Sequence, residues 1–168
     1  ELFYRITGIL NTTAPYVATL ERLPVIPTNI GSYSAGFITL SSIGQGHTTD
    51  TEFWVYNEDF DAIVGYGNDD EAIAAISGVP GATGTTLQSV LRRSYTPGAY
   101  YLAVSTISLA NNLGSPCDDD WRTGLMLDFP NIIANSSTST TANLAFTISD
   151  GLTTTPVANT HAGVFDIN

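Results

Sequence analysis

Hydrophobic and polar residues alternate along most of this chain with the two-residue period of strands. In "ANLAFTIS" (142–149), Leu144, Phe146 and Ile148 fall on one face, with Ala145, Thr147 and Ser149 on the other. Asp150-Gly151 follows at once, the chemistry of a tight hairpin turn. "AYYLAVS" (99–105) sets Tyr100, Leu102 and Val104 against Tyr101, Ala103 and Ser105. Pro97-Gly98, just before it, predicts a type II turn with Gly98 at positive φ. Further strands are expected in "LFYRITGIL" (2–10), "YVATLE" (16–21), "AGFITL" (35–40), "EFWVYN" (52–57), "DAIVGY" (61–66), "TTLQSVL" (85–91), "GLMLDF" (124–129) and "GVFDI" (163–167). About ten short strands separated by turn signals predict an all-β fold, a single-domain β-sandwich or jelly roll.

At most one short helix fits the pattern. In "NDDEAIAAISG", Asn68 can cap the N-terminus and Glu71, three residues later, completes a capping box. Ile73 and Ile76 share a face, and Gly78 can close the helix. "SSTSTT" (136–141) reads as an exposed polar loop.

Composition narrows the function. The 168 residues suit one domain with a sizeable core. Sixteen acids face five bases, all of them Arg, for a net charge of −11, which repels nucleic acid and anionic membrane surfaces. Only 12% of residues are charged, about half the usual share, and Ser, Thr, Asn and Gly supply the remaining polarity. That balance is expected of an extracellular or cell-surface protein. The sequence starts at Glu1 with neither Met nor a basic-then-apolar leader, as a processed or trimmed product would. No apolar run approaches the ~20 residues of a membrane span. Cys117 is the single cysteine, so no intrachain disulfide can form.

Catalytic patterns are missing. His47 and His161 are the only histidines, and no G-x-S-x-G nucleophile motif occurs. Asp50-Thr51-Glu52 has Glu where an aspartic-protease motif needs Gly, and it has no second copy. Scattered carboxylates could serve glycoside hydrolysis but do not specify it. The expectation is a protein that is not an enzyme.

Hard-cation chemistry fits better. Asn57, Asp59 and Asp61 alternate like the first ligands of an EF-hand loop, but Ala62 and Asn68 stand where its Gly and final Glu belong. "NDDE" (68–71) and "CDDD" (117–120) are the dense acidic clusters, readable as turn and cap chemistry or as calcium ligands. Asn11-Thr12-Thr13 and Asn135-Ser136-Ser137 are glycosylation sequons. Trp54, Trp121, Tyr33, Tyr66 and Tyr101 are candidate sugar-stacking aromatics. Trp121 stands out for its polar flanks "DDDWRTG".

The run "DTEFWVYNEDFDAIVGYGNDD" (50–70), followed by "TTLQSVL" and "PGAYYLAVS", resembles the bacterial pre-peptidase C-terminal-like domains over about residues 48–106. Asp50-Thr51 matches the opening of that pattern and Val55-Tyr56 the strand end. Asn68-Asp69-Asp70 matches its acidic turn and 98–104 its last strand, while "EAIAAISGVPGATG" is inserted between them. The resemblance implies a secreted, non-catalytic β-sandwich. It also implies a calcium site built from Asp50, Glu52, Asn68, Asp69 and Asp70 at one end.

A sandwich of this kind is expected to bind something or to assemble with itself. The N-terminal strand, with apolar Leu2, Phe3, Tyr4, Ile6 and Ile9, precedes a Pro-rich connector. Residues 1–32 thus form a unit exchangeable with a neighbouring subunit, and 33–168 form the sandwich proper. Head-to-tail strand addition to copies of the same chain would give a surface or filament subunit. The alternative is a calcium-dependent carbohydrate- or matrix-binding module.

Overall fold

The computed structural model describes residues 26–71, 73–106, 109–110, 134–135 and 141–161. The assembly strand at 2–10, Asn11, Cys117 with its acidic run, Trp121, and the strands expected at 16–21, 124–129 and 163–167 lie outside these residues.

The described chain is predominantly β, with one short helix. In chain order it comprises β1 (Gly36–Ser41), β2 (Thr51–Tyr56), β3 (Ala62–Asn68), α1 (Ala74–Ser77), β4 (Val90–Tyr95), β5 (Tyr101–Thr106), β6 (Leu109–Ala110), β7 (Ala134–Asn135), β8 (Ala142–Asn143), β9 (Phe146–Ser149), β10 (Thr154–Val157) and β11 (Thr160–His161). Two antiparallel sheets carry the architecture. One is ordered β10-β9-β1-β4 and the other β3-β2-β5, and two-residue ladders join β11 to β8 and β6 to β7.

The alternation read from sequence sets the core. Leu40, Leu91, Tyr95, Phe146 and Ile148 of the four-stranded sheet meet Phe53, Val55 and Val104 of the other, with Leu144 beside them. Phe53 and Phe146 touch edge to face across the gap, with centroids 5.7 Å apart. Each such buried side chain is worth about 1.5–3 kcal/mol over exposure. The three-stranded sheet departs from simple alternation. All of β2 is buried, because Trp54, Tyr56 and Ala103 form a second apolar cluster on the reverse face, with Tyr101 and Ala62 packed against it.

Local chemistry overrides the sequence expectation in four places. Asn68 does not cap a helix: it ends β3 opposite Phe53 and its Nδ2 donates to the Val90 carbonyl. Glu71 closes no capping box, because its carboxylate accepts the N–H groups of Thr85 (2.8 Å) and Thr83 (3.3 Å). The Thr85 N–H above all lowers the Glu71 pKa. The helix therefore starts at Ala74 without a side-chain cap, yet Gly78 closes it in the left-handed conformation (φ 77°) as expected. The strand expected from Thr85 begins only at Val90, since the Thr86 hydroxyl takes the Gln88 N–H (3.1 Å) and leaves Leu87 half exposed. Gly98 keeps φ out of the left-handed region, so the link to β5 is no type II turn; the Tyr100 hydroxyl reaches back to the Thr96 carbonyl instead (3.2 Å).

Arg93 fastens the inserted helix to the sheets. Its guanidinium donates to the carbonyls of Ile76 and Ser77 (both 2.7 Å) at the helix C-terminus, and to Gly65 of β3 (2.6 Å). At the edge of the sheet among the described residues, β10 holds Pro156 opposite Thr147 of β9.

Two predictions follow from these elements. At Gly67 an added Cβ would run into the Trp54 indole, so Gly67→Ala should destabilise by about 1–3 kcal/mol in denaturant titrations, as overpacking does. At the β9–β10 hairpin, the N–H groups of Ser34, Thr153 and Leu152 hold the exposed Asp150 carboxyl at about 2, below its ordinary 3.8. A depressed folded-state value stabilises above the unfolded pKa and fades as pH falls through the folded one. The melting temperature of Asp150→Asn should therefore trail the native protein at pH 7, with the gap shrinking between pH 4 and pH 2.

Candidate metal centre

The acidic residues that looked alike in sequence separate into three kinds. Around Asn57 they make a turn. Asn57 Oδ1 accepts the N–H groups of Asp59 (3.0 Å) and Asp61 (2.9 Å), and Phe60 takes positive φ (63°) with its ring stacked on Tyr101 at 4.0 Å. Glu52 is structural. Buried on the reverse face of β2, it accepts the Trp54 indole N–H (3.0 Å). Asp50, Asp69 and Asp70 converge, each offering one carboxylate oxygen within 4.8 Å of the others.

This convergence has a topological cause. Asp50 immediately precedes β2, and Asp69 and Asp70 immediately follow β3. These strands are antiparallel neighbours, so the start of one lies beside the end of the other. Asp69 is fully buried, Asp50 and Asp70 partly so, and all three turn Oδ1 away from solvent. Asn68, before Asp69 in the chain, has its amide nitrogen on the Val90 carbonyl and a buried amide oxygen that makes no hydrogen bond. Of the five residues expected to hold calcium, three carboxylates gather, Asn68 stands next to them in the chain, and Glu52 is outside the group.

Two like charges about 4 Å apart repel by about 4 kcal/mol at an effective dielectric near 20. A divalent cation turns that cost into binding. Oxygens 2.3–2.6 Å from one calcium ion lie at most about 5 Å apart, a span this trio meets, and an all-oxygen donor set suits a hard cation.

A hydroxyl network underlies the site, and sequence reading did not single it out. Thr51 Oγ1 lies 2.7 Å from Ser42 Oγ and accepts the Ser89 N–H (2.9 Å). Ser89 Oγ donates to the carbonyls of Asp69 (2.6 Å) and Thr51. The Thr51 and Glu71 N–H groups bond the Leu87 and Thr86 carbonyls (3.2 and 3.0 Å). The available signal was the density of small hydroxyls flanking the acids.

The remaining candidates have packing roles. Trp54 is 1% exposed and no platform for a ligand. Tyr33 packs on the core with its hydroxyl on the Ile30 carbonyl (2.9 Å), and Tyr66 bonds the Ser94 carbonyl (2.6 Å). His47 is a clasp: Nδ1 accepts the Thr49 N–H (3.1 Å), so Nε2 carries the proton donated to the Ala145 carbonyl (2.9 Å). Asn135 ends β7, paired with Leu109.

Thr51→Val removes the hydroxyl that Ser42 and Ser89 share in a site with no solvent exposure. The buried Ser89 N–H then loses its acceptor, and chemical denaturation should report a loss of about 1–3 kcal/mol.

Comparison with protein-family models, with curated proteins and with solved structures gives no match.

Proposed function

We propose that this chain is a non-catalytic, calcium-dependent binding module of the cell exterior, with carbohydrate or matrix as the class of partner. The observation that carries the reading is the convergence of Asp50, Asp69 and Asp70 at one end of the sandwich. The hydrogen-bonding role of His47 accords with a binding module, because both ring nitrogens are committed to backbone groups. The strand proposed for self-assembly lies outside the described residues, so the acidic end, not polymer formation, leads the reading.

With few protein ligands and partial solvent access, the expected affinity is in the range of extracellular calcium modules, about 10⁻⁴–10⁻³ M. At a hundredfold excess over the dissociation constant, calcium should stabilise the fold by about 2.7 kcal/mol. Calorimetric titration and thermal melts, with calcium and with chelator, test this. Asp69→Asn should abolish both the heat of binding and the shift, whereas Glu52→Gln, outside the trio, should keep its calcium response. Identical melts of the native protein in calcium and in chelator, with no heat of binding, would overturn the reading. Co-sedimentation with insoluble polysaccharides and with collagen, with and without calcium, then identifies the partner class.

A further inference from the structure

Ser89 holds the backbone on both sides of the site. Its hydroxyl, with a single proton, reaches two carbonyls: that of Asp69, a member of the trio, and that of Thr51, the residue after Asp50. Its N–H meets Thr51 Oγ1, and its own carbonyl takes the Ser42 N–H (3.1 Å) and hydroxyl (3.2 Å). The side chain has no solvent exposure, so these bonds face no competition from water. Ser89 immediately precedes β4 of the opposite sheet, which makes it a strut from one sheet to the end of the other.

We infer that Ser89 is the positioning residue of the calcium site, fixing the separation of Asp50 from Asp69 through the backbone of Thr51 and Asp69. This rests on the calcium reading above. Without the hydroxyl, two buried carbonyls lose a shared donor and the strands flanking the site relax relative to each other. Carboxylate repulsion then opens the trio before an ion can bind, so affinity falls even where the fold persists.

The test is calcium titration by calorimetry on three folded proteins: native, Ser89→Ala, and Leu144→Val as a core variant that loses stability without touching the network. Ser89→Ala should bind at least tenfold more weakly, and Leu144→Val should bind like the native chain. Equal affinity in Ser89→Ala, or an equal loss in Leu144→Val, would overturn the inference. If Ser89→Ala does not fold, Ser89→Cys, of similar size but a poorer donor, is read by the same criterion. A native protein that takes up no calcium would instead defeat the reading of the site itself.

Discussion

Everything in this fold answers to the burial of β2. A strand covered on both faces cannot leave polar groups to water, so each must find a partner within the protein. On the core face Thr51 meets Ser42 and Ser89, and on the reverse face Glu52 meets the indole of Trp54. The four residues after them, Phe53 to Tyr56, divide between two apolar clusters. The strand is thus apolar along its length and polar at its start, and it delivers Asp50 to the one end where oxygen atoms are already concentrated.

The inserted segment between β3 and β4 is accommodated by the same economy. Its backbone bonds the start of β2 and closes on itself between Glu71 and Thr86, its short helix is held by Arg93, and Glu71 gathers its threonines. None of these contacts needs a large hydrophobic face. An insertion of this length can therefore sit between two core strands while leaving Ile73 and Leu87 substantially exposed.

Period-two patterning made the sheets legible. Leu144, Phe146, Ile148 and Val104 are buried on the face the alternation assigned to them. The sequence also marked Gly78 and the Asp150-Gly151 hairpin, because both depend on bonds to near neighbours. Asn68 and Glu71 were misread for the opposite reason. Their local capping pattern was sound, but partners more remote in sequence, Val90 and the Thr83–Thr85 pair, captured the same side chains. The acids were legible as a group but not as individuals. Whether Glu52 or Asp50 points toward Asp69 depends on strand pairing and on where β2 begins, and no local spacing contains that information.

Pro156 carries a consequence for the company this sandwich can keep. Among the described residues β10 borders its sheet, and proline removes one backbone donor from the middle of that four-residue strand. A foreign strand arriving there would find an interrupted row of donors too short to grip. Strand addition is disfavoured on that flank of the described sheet, which gives it a sidedness: this border is a poorer template for a foreign strand than an unbroken one would be.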